Sequence, residues 1–234
     1  MKSLPIMKRS FSLLKSKILL SLLILFLLGS CNVLGQKEVA EMDPANLPDV
    51  IAFQDDFTRE FMSSLEEVED GYYLFESKTG GYTMMYPENA KMNQGYFERN
   101  GNTFEIIRYG EGEATNEFLY YTTFTFEEGK RTEEPESLLR LLSSSVNYDG
   151  DYEDINYDDK IIYFATMQFV TETESNSSTD RLFGLVKSKS SSQAVSFTNN
   201  VITENNDIDY ESDLDEASDE VMKLIQSIEF NTKE

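Results

Sequence analysis

The sequence predicts an α+β fold: an antiparallel β-sheet covered by N-terminal, central and C-terminal helices. Three observations predict it. Runs rich in Tyr, Phe, Thr and Ile alternate with period two, the spacing of half-buried strands. Tight-turn signals such as Thr79-Gly80-Gly81 and Asn100-Gly101 join these runs, which makes neighbouring strands antiparallel. Three other segments, following Pro48, following Pro135 and near the C-terminus, carry apolar residues at three- and four-residue spacing.

From Pro48, the residues Ile51, Phe53, Phe57, Phe61, Leu65 and Val68 recur at helical spacing, so a first amphipathic helix is expected to run to near Gly71. The period then changes. Tyr72 to Ser77 and Tyr82 to Tyr86 form a hairpin, and Pro87 ends its second arm. Tyr96 to Arg99 and Thr103 to Tyr109 flank Asn100-Gly101 as a second hairpin. In Glu117 to Phe126, strict alternation places Phe118, Tyr120, Thr122, Phe124 and Phe126 on one face, which must be deeply buried.

Pro135 opens a central helix over Glu136 to Ser144, whose face is Leu138, Leu139, Leu141 and Leu142. Strands follow at Tyr152 to Asn156, Lys160 to Thr171, Arg181 to Lys187 and Gln193 to Thr198. Ser212 to Ser227 closes the chain as a helix, with Leu214, Ala217, Val221, Leu224, Ile225 and Ile228 at helical spacing. Amphipathic helices beside an antiparallel sheet must bury their apolar stripes against its faces. The 29 Phe and Tyr residues, nearly all of them after residue 30, supply the core of one domain of about 185 residues.

The N-terminus has a different character. Lys2, Lys8, Arg9, Lys15 and Lys17 form a positive leader with no acidic residue, and Ile18 to Leu28 is apolar apart from Ser21. This is the pattern of a signal peptide over residues 1–30. The apolar run is roughly half the length a spanning helix needs, so a retained transmembrane anchor is the weaker alternative. Leu28-Gly29-Ser30-Cys31 resembles the lipobox of bacterial lipoprotein precursors. The resemblance implies diacylglyceryl transfer to the Cys31 thiol and cleavage before it. An ordinary secretory signal with a cysteine at its cleavage site is the other alternative. Cys31 is the single cysteine of the chain, so no disulfide and no catalytic thiol is expected. By the resemblance to envelope lipoproteins of two-membrane bacteria, inner-membrane retention would go with Asp after the cysteine, so Asn32 favours a one-membrane cell surface. Residues 31–48, with Gly35, Pro44 and Pro48, read as the lipidated cysteine and a flexible tether, and residues 49–234 as a single globular domain.

The element order, the strand Gly81-Tyr82-Thr83-Met84-Met85-Tyr86-Pro87 and the final Ser227-Ile228-Glu229-Phe230 resemble the PsbP/Mog1-like superfamily over about residues 70–232. That superfamily includes small bacterial lipoproteins. The resemblance implies an α/β/α sandwich and an accessory or binding role, and it carries over no catalytic residues.

Charge and composition narrow the function. The 234 residues hold 20 basic and 43 acidic side chains, and loss of residues 1–30 leaves 15 against 43, a net charge of −28. Nucleic acid is excluded as a partner, because a phosphate backbone needs a basic footprint and Lys130-Arg131 is the densest basic pair in the mature part. The chain has no histidine, which removes the commonest general base and transition-metal ligand. Gly110-Glu111-Gly112-Glu113 lacks the lysine and spacing of a phosphate loop. Two acidic clusters alternate, Asp149, Asp151 and Glu153, then Asp207, Asp209, Glu211, Asp213 and Asp215. Neither has the glycine and glutamate of an EF-hand, and solvated loops or an acidic helix start account for both.

No catalytic, cofactor or metal residue is therefore assigned, and Cys31 is expected as the lipidation site. The first expectation is a membrane-anchored extracytoplasmic lipoprotein with a non-catalytic accessory or binding role in the cell envelope. Its expected partners are the membrane, through the lipid, and an envelope protein. A solitary ligand- or cation-binding lipoprotein is the alternative, followed by a carboxylate-based hydrolase. A pocket with converging carboxylates or exposed tyrosines would favour the solitary binder, and a flat aromatic patch the accessory role.

Overall fold

The computed structural model describes residues 39–111, 118–171, 177–203 and 210–232. Packing begins earlier than expected. Val39 and Leu47 are buried and belong to the main core, so the domain takes in residues 39–48 of the expected tether. Two single helical turns follow, α1 (Ile51–Gln54) and α2 (Asp56–Arg59). Asp55 caps the second by accepting the Thr58 N–H at 2.9 Å.

The expected helix over residues 51–68 ends there. Strand β1 (Met62–Glu69) replaces its second half and pairs with β2 (Tyr72–Glu76) across Asp70-Gly71, with Gly71 at φ 76°. The reason is visible in the register. Shifts between Met62 and Glu67 and between Glu67 and Glu69 break the ladder, and such irregularities disturb the two-residue alternation of a strand. Met62, Leu65 and Val68 consequently keep a spacing of three, which imitates a helix. Asp-Gly with a positive φ is itself a hairpin turn.

β3 (Tyr82–Pro87) completes the hairpin with β2. Then come β4 (Lys91–Met92), β5 (Glu98–Asn100) and β6 (Phe104–Glu111), with Gly101 turning the chain between β5 and β6 at φ 57°. β7 (Phe118–Glu128) is followed by α3 (Pro135–Val146), β8 (Glu153–Asn156), β9 (Lys160–Thr171), β10 (Ser177–Ser188) and β11 (Gln193–Thr203). α4 (Tyr210–Gln226) and β12 (Glu229–Phe230) end the described chain.

Among the described residues, all the strand pairings are antiparallel and fall in two sheets. The smaller has the order β1-β2-β3-β12; the larger runs β4-β6-β7-β11-β10-β9-β8, with β5 on β6. Between the sheets lies an aromatic core in which Tyr82 stacks on Phe126, Tyr86 meets Tyr109 edge-on, and Phe124 adjoins Phe197. Phe124 and Phe126 are about 1% exposed or less, as the alternation along β7 requires.

The cover of the large sheet differs from an arrangement of three helices. Much of its inner face meets the second sheet, joined by α4 through Ala217, Val221, Leu224 and Ile225. α3 lies on the outer face. There Leu138 packs with Leu185 and Ala194, and Val146 with Ala165 and Phe183. Ser227 ties the end of α4 to β3, because its Oγ accepts the Met85 N–H at 2.9 Å and donates to the Leu224 carbonyl at 2.6 Å. Ser227→Ala should cost about 1–2 kcal/mol, the usual effect of stranding a partly buried N–H. An unchanged urea midpoint would show that the tie contributes nothing.

Candidate functional site

The outer face of the large sheet is built in rows. Register places Arg108, Thr123, Thr198, Phe183 and Ala165 side by side across β6, β7, β11, β10 and β9. The adjacent row is Ile106, Thr125, Ser196, Leu185 and Tyr163. In both rows the floor changes from hydroxyl to apolar between β11 and β10. That boundary is where the cover of α3 begins, because only the apolar part gains by burial. The hydroxyl-lined half stays open.

A cleft of about 370 Å³ lies along this boundary. Thr123, Thr125, Ser196 and Thr198 form its floor, and Leu138, Leu141 and Leu142 of α3 its wall. Leu141 is 54% exposed. At one end Arg131 Nε donates to Glu127 Oε2 at 2.9 Å. On the neighbouring strand, the Arg108 guanidinium carbon lies 3.9 Å from the ring centre of Tyr96 and 5.3 Å from that of Tyr121. Its Nε donates to Thr123 Oγ1 at 2.9 Å. Two rings and a hydroxyl therefore hold this cation in one place.

A second polar feature is internal. Glu105 on β6 faces the core at 1% exposure, and its Oε2 accepts the Lys78 N–H at 2.9 Å. Burial pushes its carboxyl from the ordinary 4.5 up to about 7, against the hydrogen bonds from Ser77 and the Lys78 N–H and the charges of Arg99 and Lys78. Glu105 Oε1 and the Tyr82 hydroxyl are both buried without a hydrogen-bond partner among the described residues. Burial also raises the Tyr82 hydroxyl pKa well above its usual value, and the Glu105 charge adds to the shift.

Cys31, the expected lipidation site, lies outside the described residues, as do Asp207 and Asp209. Asp149, Asp151 and Glu153 are exposed, and no group of three acidic or sulfur ligands suited to a metal occurs among the described residues. No helix among them is long and apolar enough to cross a membrane. Among the described residues the cleft is lined by one carboxylate, Glu127, already bonded to Arg131, whereas a carboxylate-based hydrolase needs two facing each other. Sequence reasoning did not single out Arg108, Tyr96 and Tyr121, or Glu105. A signal for the last existed, since Glu105 precedes Ile107 and Tyr109 at period two on a core-facing strand.

The family model described as "Putative lipoprotein YvcA" matches residues 48–229. The chain belongs to the YvcA lipoprotein family. Its domain is thus Mog1-like, as the strand-end and C-terminal motifs suggested. A protein of Bacillus subtilis (strain 168) with the same description is 31% identical over 194 residues, covering 81% of this chain and 80% of that protein. The span matched by the YvcA family runs from before α1 to the start of β12 and includes every cleft residue named above.

Proposed function

We propose that this lipoprotein is anchored through acylated Cys31 on the extracytoplasmic face of the cell membrane, where its domain has a non-catalytic binding role. The half-covered outer face of the large sheet carries this reading. A sheet face usually ends either buried or evenly solvated, whereas here a cleft of about 370 Å³ opens between hydroxyl and leucine surfaces, within the range of ligand sites. Between Cys31 and Val39 an extended chain spans at most roughly 28 Å, which keeps the domain close to the membrane.

Two acyl chains bind durably where one does not. Cys31→Ala is therefore expected to move the protein from the membrane fraction to the soluble fraction. Persistence of the variant in the membrane fraction would overturn the anchoring. Tyr96, 53% exposed, and Tyr121 beside the cleft favour a second reading in which the domain acts alone on a ligand rather than as an accessory to a protein complex.

A further inference from the structure

From the open outer face we infer that Arg108, Tyr96 and the hydroxyl floor of the cleft bind an anionic sugar chain, its carboxylate or phosphate on Arg108 and its hydroxyls along Thr125, Ser196 and Thr198. This rests on the reading of that face as a binding surface and names its ligand class. Charge is the first argument. The mature sequence carries 28 more acidic than basic residues, yet among the described residues the basic side chains here, Arg108 and Arg131, face two carboxylates: Glu127, which Arg131 already engages, and exposed Glu98, which register places beside Ile106 in the adjacent row. Charges farther off than about 8 Å are screened by salt.

Preorganisation is the second argument. Arg108 spends its Nε on Thr123, and among the described residues its two Nη groups have no hydrogen-bond partner. A guanidinium whose carbon lies near two ring centres and whose Nε is bonded to Thr123 is held in place, and its planar fork matches a carboxylate or phosphate. The chemistry of the floor is the third. Thr125, Ser196 and Thr198 are half-buried, and their hydroxyls both donate and accept, as sugar hydroxyls require. The exposed part of Tyr96 offers a surface for the apolar face of a sugar ring. A peptide finds less here: the backbone groups of β6, β7 and β11 are consumed in the ladders, and strand addition needs an open edge.

Isothermal titration calorimetry on the full-length lipidated protein in detergent tests the assignment, with trigalacturonate, 6-phosphorylated maltotriose and maltotriose as probes. Binding of one or both acidic probes at about millimolar Kd or tighter is expected, and which binds identifies the anion. Neutral maltotriose should bind about tenfold more weakly than the acidic probe, and Arg108→Gln should cause a similar loss. Tyr96→Ala should weaken binding about threefold, while Arg99→Gln, on the exposed β5 turn, should leave it unchanged. Equal binding of neutral and acidic sugars, an unaltered Kd in Arg108→Gln, or no heat with either acidic probe would overturn the proposal. A photo-crosslinker at position 198 separates the two levels in cells. If acidic sugars fail while the crosslinker captures one reproducible protein, the sugar assignment falls and the binding face stands; if both fail, the binding face falls as well.

Discussion

Gly184→Ala is expected to destabilise the domain by about 4 kcal/mol, at the upper end of what overpacking costs. Gly184 lies mid-strand in β10, opposite Phe164 on one side and Phe197 on the other. A Cβ there would sit 1.9 Å from the backbone oxygen of Tyr163 and 2.9 Å from the Phe197 ring. The ring could tilt, but the carbonyl is fixed in the β9–β10 ladder, so the two strands would have to separate. Such a loss is a large share of a domain stability of about 5–15 kcal/mol. Gly80→Ala is the internal comparison: among the described residues nothing lies within 4 Å of its Cβ, and its φ of +68° is what is unfavourable, for about 1 kcal/mol. Urea midpoints for the two variants check the ranking, and equal shifts would refute the packing argument.

Glu105→Gln is expected to change how stability depends on pH. The folded carboxyl holds its proton up to about pH 7, whereas the ordinary value is 4.5. Between those values the folded state binds a proton that the unfolded chain has released, so stability falls as pH rises from 4.5 to 7. Below that window the contribution is fully present; above it the loss amounts to about 3 kcal/mol. Glutamine stays neutral throughout. The variant should therefore lose this slope and, near pH 8, unfold at a higher denaturant concentration than the wild type. Its amide oxygen can still accept the Lys78 N–H, which Glu105 Oε2 accepts in the wild type. Parallel stability curves for both proteins from pH 5 to 8 would show that Glu105 does not titrate in this range.

Much of the architecture was legible before packing was considered, and particular residues show why. β9 runs from Lys160 to Thr171 as expected, and α3 begins at Pro135 and includes the expected leucines. In both, local periodicity and burial agree. They disagree in residues 51–68, where Leu65 and Val68 keep a helical spacing on an irregular strand whose register is set by β2. The two-residue strands β4 and β12 were also unreadable, because so short a run carries no period and exists only through its partners β6 and β3.

The binding face divides in the same way. The alternation Tyr121, Thr123, Thr125 along β7 and Ser196, Thr198 along β11 assigns these residues to the faces opposite Phe124 and Phe197. It does not say that α3 stops short of them, nor that Arg108 comes to rest between Tyr96 and Tyr121, twelve and thirteen residues away in sequence.

By itself the sequence determined the elements with a clear period, the acidity, the absence of histidine and the lipobox-like Cys31, all properties of composition and local spacing. Tertiary structure decided that a second sheet shares the cover of the first, that half of the outer face stays open, and that Glu105 is buried. Those outcomes depend on which distant surfaces meet, and burial energy between distant segments leaves little trace in local spacing.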